Sequence, residues 1–194
     1  ETVSVRLSDA GKAYNGVWVF RHLHLTFEDG GTYCLMAPSG AGKTTLLRLL
    51  MGLEHPDEGI VEGADRSAVS AVFQEDRLCP GLGAEKNILL VNPVCSGAAL
   101  TEEIIRLLPA DSLAKPVSEY SGGMRRRVSL LRAMLHPGSL ILMDEPFNGL
   151  DAATRDAAIR YVKEKQQGRT LIFATHHQEE ARAMGATNVN LCGE

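Results

Sequence analysis

Apolar runs of four or five residues recur along this chain, and amphipathic stretches with helical spacing separate them. Short apolar runs bounded by turn residues predict buried strands. The strands predicted in this way are 32–36, 70–73, 140–143, 170–174 and 188–191. The predicted helices are about 46–51, 122–135 and 178–184, with another behind Asp151. Because strands that alternate with helices form a parallel sheet, the pattern predicts an α/β fold that binds its ligand at the carboxyl ends of the strands.

Two regions depart from this alternation. The N-terminal region is predicted to be β-rich, with a turn-rich connection from Asp9 to Gly16 and with strands at 3–7, 17–20, 23–27 and 60–61. Between Gln74 and Ser121 the spacing is helical, and helices are expected at 84–91 and 98–108. We therefore predict one domain over 1–194, with a mostly parallel core sheet and a helical subdomain inserted at about 75–135.

A glycine-rich loop follows the predicted strand at 32–36. The loop reads Ala37-Pro38-Ser39-Gly40-Ala41-Gly42-Lys43-Thr44-Thr45. A strand, a loop of this kind and a helix form the context of a phosphate-binding P-loop, because backbone N–H groups and the helix N-terminus attract an anion. Gly40 and Gly42 allow close approach of the backbone, Lys43 supplies a cation for the phosphates, and the Thr44 hydroxyl is placed to bind Mg²⁺. The alternative is a turn that merely joins a strand to a helix.

Two carboxylates, Asp144 and Glu145, end the apolar run at 140–143. A carboxylate at the end of a buried strand beside a P-loop can hold Mg²⁺, usually through water. The next carboxylate, Glu145, is placed to take a proton from an attacking water. The alternative is a pair of exposed acids at a strand end.

A second anion-binding pattern begins at Ser121. Ser121, Gly122 and Gly123 head the predicted helix 122–135, so a hydroxyl, glycine amides and a helix N-terminus come together. Three arginines follow at 125–127. They are interpreted as a solvated helix face rather than a nucleic-acid patch, because the net charge of the chain is −4.

Composition excludes several classes of protein. The 194 residues carry no global basic footprint, so no nucleic-acid partner is expected. Four cysteines, at 34, 79, 95 and 192, are spread without a C-x-x-C pair, which favours reduced thiols in a cytosolic protein. No apolar run approaches the roughly 18 residues needed to span a bilayer, and no signal peptide is recognised. His22 and His24 are interpreted as surface histidines, since no third metal ligand lies near them in sequence.

These motifs, in this order, resemble the ATP-binding-cassette (ABC) ATPases over nearly the whole chain. The resemblance implies a P-loop NTPase core with an N-terminal antiparallel β portion, and it implies ATP and Mg²⁺ as cofactors. It assigns Ser121, Gly122 and Gly123 to the signature motif, Glu145 to the general base and His176 to the γ-phosphate contact. Further residues that it assigns to nucleotide or metal binding are Tyr14 (adenine stacking), residues 37–45 (the P-loop), Gln74 (Mg²⁺ sensing), Asp144 (Mg²⁺) and Asp151 (the loop after the Asp-Glu-Pro strand).

The family also implies partners. Two copies would face each other head to tail, so that each ATP lies between one chain's P-loop and the other chain's Ser121-Gly122-Gly123. Membrane-spanning permease subunits would dock near Gln74 to Pro93, and an extracytoplasmic solute-binding protein is expected in the complex. The chain itself would be a peripheral protein on the cytoplasmic face of the membrane. The segment from Val72 to Leu78, with Pro80 soon after, is similar to importer cassettes of the nitrate, sulfonate and taurine group.

Four positions depart from the family pattern: Ala37 replaces glycine, Tyr120 replaces leucine, and Asn148-Gly149 replaces small residues such as Ser-Ala. None removes a group that carries charge or a proton. Two other functions stay open at this point. A soluble cassette of DNA repair or translation control would usually carry coiled-coil inserts or two fused cassettes. A nucleotide-binding regulator without turnover would normally lack Glu145 or His176.

Overall fold

The computed structural model describes residues 3–38, 40–63, 69–92 and 97–191. The strands are β1 (Val3–Tyr14), β2 (Val17–Glu28), β3 (Thr32–Leu35), β4 (Glu58–Glu62), β5 (Val69–Val72), β6 (Leu140–Asp144), β7 (Thr170–Ala174) and β8 (Thr187–Val189). The α-helices are α1 (Lys43–Leu50), α2 (Ala84–Leu89), α3 (Ala98–Ile105), α4 (Gly122–Leu135), α5 (Ala152–Gln166) and α6 (Gln178–Met184). The chain forms two compact units: residues 1–71, 138–145 and 168–194 belong to the first, and 72–137 and 146–167 to the second.

The first unit contains an antiparallel sheet with strand order β2-β1-β4. The prediction of a turn-rich connection from Asp9 to Gly16 was wrong, because β1 continues to Tyr14 and the turn is only Asn15-Gly16. Register shifts in both β1 pairings let the strand pass through its glycine and aspartate without ending. Asp9 and His22 both adopt positive φ, at 52° and 54°, and β2 likewise continues past His22 as one strand.

The central sheet has strand order β5-β6-β7-β3-β8. Strands β6, β7, β3 and β8 pair in parallel, as the alternation of strands and helices predicted. Every residue of β6 and β7 is buried, which is the usual state of a parallel strand covered on both faces. Asp144, Ala174 and Leu35 lie in register, so three strands end at the same level of the sheet. The chain segments that leave these ends therefore begin side by side.

One apolar core joins both sheets of the first unit to α1. Members of this core include Phe27 from β2, Leu35 from β3, Leu46 and Leu50 from α1, and Ile172 from β7. Helix α1 directs leucines at 46, 47, 49 and 50 into it, which explains its apolar face. The start of α1, and with it the glycine-rich loop, is therefore fixed by packing as well as by local sequence.

The second unit is mainly helical. Helix α4 packs against α2, α3 and α5, and two 3₁₀ turns, Ala110–Ser112 and Val117–Glu119, precede it.

The bounds of α4, β7 and α6 agree with those predicted, whereas α2 and α3 end earlier than expected. No helix in the described part of the chain combines the length and apolar character needed to cross a membrane.

The arginines that follow Gly123 do not form the solvated face that was predicted. Arg126 is only 4% exposed, and Arg125 and Arg127 are partly buried. The Arg126 guanidinium donates to the backbone oxygens of Phe73 (2.6 Å) and Pro146 (3.1 Å) and forms an ion pair with Asp76 (3.3 Å). Buried carbonyl oxygens therefore replace water around this cation.

Candidate functional site

The phosphate loop begins where β3 ends. Gly40 and Gly42 have φ of 84° and 91°, a conformation that favours glycine, and Gly42 precedes α1 as its N-cap. A Cβ on Gly42 would lie 2.6 Å from Val19, so steric fit also requires glycine there. Ser39, which the sequence assigned to this loop, lies outside the described residues. The described part of the loop thus has the backbone form that an anion-binding turn needs.

Lys43 is nearly buried, and its ammonium group faces its own loop. Lys43 Nζ donates to the backbone oxygen of Ala37 and to that of Pro38 at 3.3 Å. Ala37 contributes its carbonyl and has no positive φ, so the replacement of glycine there costs no backbone strain. The departure at Ala37 is therefore compatible with this loop.

The Thr44 hydroxyl and the Asp144 carboxylate meet directly. Thr44 Oγ1 donates to Asp144 Oδ2 at 2.7 Å, and Asp144 is buried. An all-oxygen pair at this spacing beside a phosphate loop fits Mg²⁺, which takes few protein ligands and completes its shell with water and phosphate oxygens. Among the described residues, no group of three or more His, Cys, Asp or Glu side chains is arranged to hold a metal ion alone. The side chains of His22 and His24 are 63% and 68% exposed, which confirms their interpretation as surface residues.

Glu145 and His176 leave neighbouring strands and come together. His176 Nδ1 lies 3.0 Å from Glu145 Oε1, and the backbone N–H of Glu145 donates to the oxygen of Ala174 at 2.9 Å. Glu145 has a φ of 47°, which is uncommon for a residue with a side chain and marks a locally strained position. Strain of this kind clusters at functional sites, and it fixes the direction in which the carboxylate leaves β6.

A buried hydrogen bond supports the turn that carries His176. Thr175 Oγ1 donates to Glu180 Oε2 at 2.6 Å, and the His177 N–H donates to Thr175 Oγ1 at 3.2 Å. Under this turn, burial first, and then the charges of Glu180 and Glu145, raise the pKa of the Cys34 thiol to about 12. Cys34 is thus an unreactive core thiol rather than a nucleophile.

Tyr14 ends β1 and is 42% exposed. Its hydroxyl donates to Glu54 Oε2, and the Lys12 ammonium lies 5.5 Å from the ring centroid. Partial burial first, and then Glu54, raise the pKa of Tyr14 above its ordinary 10.0, while a hydrogen bond with Thr45 acts in the opposite direction. The ring predicted to stack on adenine is therefore held at its hydroxyl end and remains accessible elsewhere.

The remaining predicted site residues lie in the second unit. Ser121 is the N-cap of α4, and its Oγ accepts from the Met124 N–H at 3.2 Å. Asp151 caps α5, and its pKa is lowered by the Thr154 N–H first and the Thr154 hydroxyl next. Gln74 is exposed, and its backbone oxygen accepts from Arg126 at 3.4 Å. The nucleotide and metal roles of these residues stay predictions.

Comparison with known proteins identifies the family. The family model described as ABC transporter matches residues 20–148. The chain is 39% identical to the aliphatic sulfonates import ATP-binding protein SsuB 1 of Rhodococcus jostii (strain RHA1), over 92% of this chain and 75% of that protein. The chain belongs to the ABC transporter family. Membership confirms the predicted cassette fold and the predicted class, the ATP-binding and ATP-hydrolysing subunits of ABC transporters, whose cofactors are ATP and Mg²⁺.

Other relatives and solved structures of cassettes agree. The sulfate/thiosulfate import ATP-binding protein CysA of Caulobacter vibrioides (strain ATCC 19089 / CIP 103742 / CB 15) is 36% identical over 92% of this chain, which spans 59% of that protein. A dimeric structure of the bacterial ABC transporter cassette MJ0796 superposes with a TM-score of 0.83 at 25% identity, covering 96% of this chain and 94% of that one. A dimeric post-hydrolysis state of MJ0796 bound to ADP and Pi gives 0.81 at 26% identity, with coverages of 92% and 90%.

Sequence reasoning missed the contacts of two residues that hold predicted site residues. Glu54 holds the Tyr14 hydroxyl, and Arg126 holds the backbone of Phe73 and Gln74. Each acts on a partner 40 or more positions away, so no local spacing rule could find it. The sequence held one signal for Arg126. The spacing of the apolar residues in this amphipathic helix could have placed Arg126 on its buried face.

Proposed function

We propose that this chain is the ATP-hydrolysing subunit of an ABC importer. One observation supports the catalytic part of this proposal. The strands β3, β6 and β7 end at one level of the sheet, beside the phosphate loop, and both the Thr44–Asp144 pair and the Glu145–His176 pair lie at this edge. The first pair provides oxygen ligands for Mg²⁺, and the second provides a proton acceptor with a hydrogen-bonded histidine. Metal binding and proton abstraction are the two functions that phosphoanhydride hydrolysis requires beside an anion cradle.

In this proposal each side chain has a stated task. Phosphate oxygens of the nucleotide replace the loop carbonyls as hydrogen-bond acceptors of Lys43. The buried ammonium group then interacts with charged oxygens instead of neutral carbonyl groups, which gives stronger hydrogen bonds. Glu145 accepts the proton of the attacking water, and His176 keeps the carboxylate oriented through Nδ1. Thr44 and Asp144 would hold Mg²⁺, which would supply positive charge against the phosphates. Tyr14 stacks on adenine. Pro38, Ala41 and Thr45 complete the nucleotide contacts of the loop in the first unit. For Gln74 and Asp151, in the second unit, nucleotide-binding roles are likewise part of the proposal.

We further propose that two copies form the complete site. Gly122 and Gly123 occupy the first turn of α4, where alanine would favour the helix more than glycine does. A Cβ added to Gly123 would come no nearer than 3.5 Å to the described part of the chain, and one on Gly122 no nearer than 4.0 Å. Neither glycine has a positive φ. Packing of the described residues therefore does not require these glycines. Close approach of a molecule from outside the chain to the start of α4 would require them, and the nucleotide held by a second copy is such a molecule.

The proposed docking region for permease subunits is Gln74 to Pro93, of which Pro93 lies outside the described residues. Leu90 and Val91 are 60% and 43% exposed, which gives this region apolar surface for a partner. Ile88 of the same region is fully buried and adds nothing to that surface. In the importer, we place the chain as one cassette domain with a helical subdomain, peripheral on the cytoplasmic face, in a complex with a solute-binding protein. Two of the similar proteins, SsuB 1 and CysA, are import ATP-binding proteins for sulfonates and for sulfate/thiosulfate, and they favour a sulfur oxyanion as the transported solute.

A pair of variants tests the catalytic proposal. Glu145→Gln removes the proton acceptor but keeps the shape of the side chain, so turnover of ATP is expected to fall about 10² to 10⁴-fold while ATP affinity is retained. Lys43→Ala is expected to weaken ATP binding itself. Phosphate release measures the first result, and isothermal titration measures both affinities. Wild-type turnover in Glu145→Gln, or wild-type ATP affinity in a folded Lys43→Ala protein, would contradict the assignment of that residue.

A further inference from the structure

Tyr14 is constrained on two sides in the first unit. Its hydroxyl donates to Glu54, and Lys12 lies 5.5 Å from the ring centroid, within cation–π range. Lys12 is itself fixed, because its ammonium donates to the His55 oxygen at 3.0 Å and pairs with Asp57 at 3.2 Å. These contacts restrict rotation of the Tyr14 side chain, although 42% of the residue is exposed.

Glu54 is anchored in turn to the helix that follows the phosphate loop. The backbone N–H groups of Leu53 and Glu54 both donate to the oxygen of Arg48, at 2.9 and 3.4 Å. The Arg48 guanidinium also pairs with Glu54 Oε1 at 3.4 Å, which leaves Oε2 to accept from Tyr14. Arg48 belongs to α1, whose first residues are Lys43, Thr44 and Thr45. A continuous set of contacts thus joins the Tyr14 ring to the phosphate-loop helix.

We propose that Glu54 is a positioning residue, which holds the Tyr14 ring at a fixed distance from the phosphate loop so that the ring can stack on the nucleotide base. This inference rests on the proposed function, because it requires that the phosphate loop binds an adenine nucleotide. Base and phosphates are joined by a ribose of fixed reach, so a ring that is already held at the correct spacing does not have to be ordered when the nucleotide binds. Pre-organisation of this kind improves affinity without a new contact to the ligand.

The inference predicts that Glu54 affects binding of the base and leaves binding of the phosphates unchanged. The probes are ADP and inorganic tripolyphosphate, which lacks a base, and isothermal titration measures both affinities. Glu54→Ala is expected to weaken ADP binding about threefold to tenfold, the range of one net hydrogen bond, and to leave tripolyphosphate binding unchanged. Tyr14→Phe, which keeps the ring and removes the hydroxyl, is expected to weaken ADP binding by at least the same factor, because it also removes the hydrogen bond with Thr45. The double variant should then lose no more than Tyr14→Phe alone.

Two further variants serve as controls. Glu54→Gln keeps an oxygen that accepts from the Tyr14 hydroxyl, so it should restore most of the ADP affinity. Glu58→Ala removes another carboxylate of the same unit, one that pairs with Arg21 at 2.7 Å, and it should change neither affinity.

Three results would overturn the inference. In the first, Glu54→Ala binds ADP as the wild type does. In the second, Glu54→Ala weakens ADP and tripolyphosphate equally, which indicates a general disturbance of the loop. In the third, the wild-type protein binds neither probe, which also contradicts the proposed function. The first two leave that function standing.

Discussion

At the scale of single residues, the site is defined by what each side chain contacts rather than by its agreement with a motif. Ala37 departs from the family's glycine, yet it provides the carbonyl that Lys43 contacts and adopts an ordinary φ. Tyr120 departs from leucine, and its ring is buried while its hydroxyl donates to the Ser112 oxygen at 2.8 Å. A buried hydroxyl that has a partner costs little. Neither departure removes a group that the proposed chemistry uses.

Gly123 offers a test at this scale, because stability and activity should move in opposite directions. Gly123→Ala replaces glycine in a helix where a Cβ has room, so the free energy of unfolding should rise by up to about 1 kcal/mol. The same methyl group would hinder approach of a nucleotide held by a second copy, and ATPase activity should fall about tenfold or more. Urea unfolding and phosphate release are measured on one preparation. Full activity in the stabilised variant would mean that nothing approaches α4 at Gly123.

At the scale of elements, local signals predicted part of the fold and non-local contacts decided the rest. The limits of α4 were predictable because Ser121 caps its start and its apolar spacing continues to Leu135. The full length of β1 was not, because turn-forming residues such as Asp9 and Gly11 remain in the strand through irregular pairing with β2 and β4. Sequence spacing can place Asp144 at a strand end and Thr44 at the start of a helix, but only the tertiary structure brings Thr44 Oγ1 within 2.7 Å of Asp144 Oδ2.

Helix α4 also makes non-local contacts that sequence spacing could not predict, and these contacts can be tested. Arg126, Ser129 and Arg132 donate to backbone oxygens within Phe73–Arg77, so one face of α4 holds the segment that contains Gln74. Because Arg126 is buried, Arg126→Ala would leave carbonyl groups of Phe73 and Pro146 without their donor. Each such loss costs about 1–3 kcal/mol, so the free energy of unfolding should fall by about 2–5 kcal/mol.

The matched control for this prediction is Arg160→Ala, an exposed arginine on α5, which should change the free energy of unfolding by less than about 0.5 kcal/mol. Urea denaturation followed by circular dichroism measures both variants. If Arg126→Ala lowered the free energy of unfolding no more than Arg160→Ala does, the carbonyl groups around Arg126 would have other partners. That result would contradict the proposal that α4 holds the segment Phe73–Arg77.

At the scale of the whole molecule, the predicted site residues fall in both compact units. The phosphate loop, Asp144, Glu145 and His176 belong to the first unit, and Gln74, Ser121, Gly122, Gly123 and Asp151 belong to the second. In the two-copy site that we propose, residues of both units would contribute, and ATP would become part of the interface between the copies. Binding of ATP would favour the closed pair, and hydrolysis would remove that preference.

The oligomeric state of Glu145→Gln with and without ATP tests this account most directly. The variant should bind ATP without consuming it, so light scattering on a size-exclusion column should give the mass of two chains in ATP and of one chain without it. Adding Ser121→Arg, which places bulk and charge at the N-terminus of α4, should return the mass to one chain in ATP. A Glu145→Gln protein with ATP bound that keeps the mass of one chain would contradict the two-copy site.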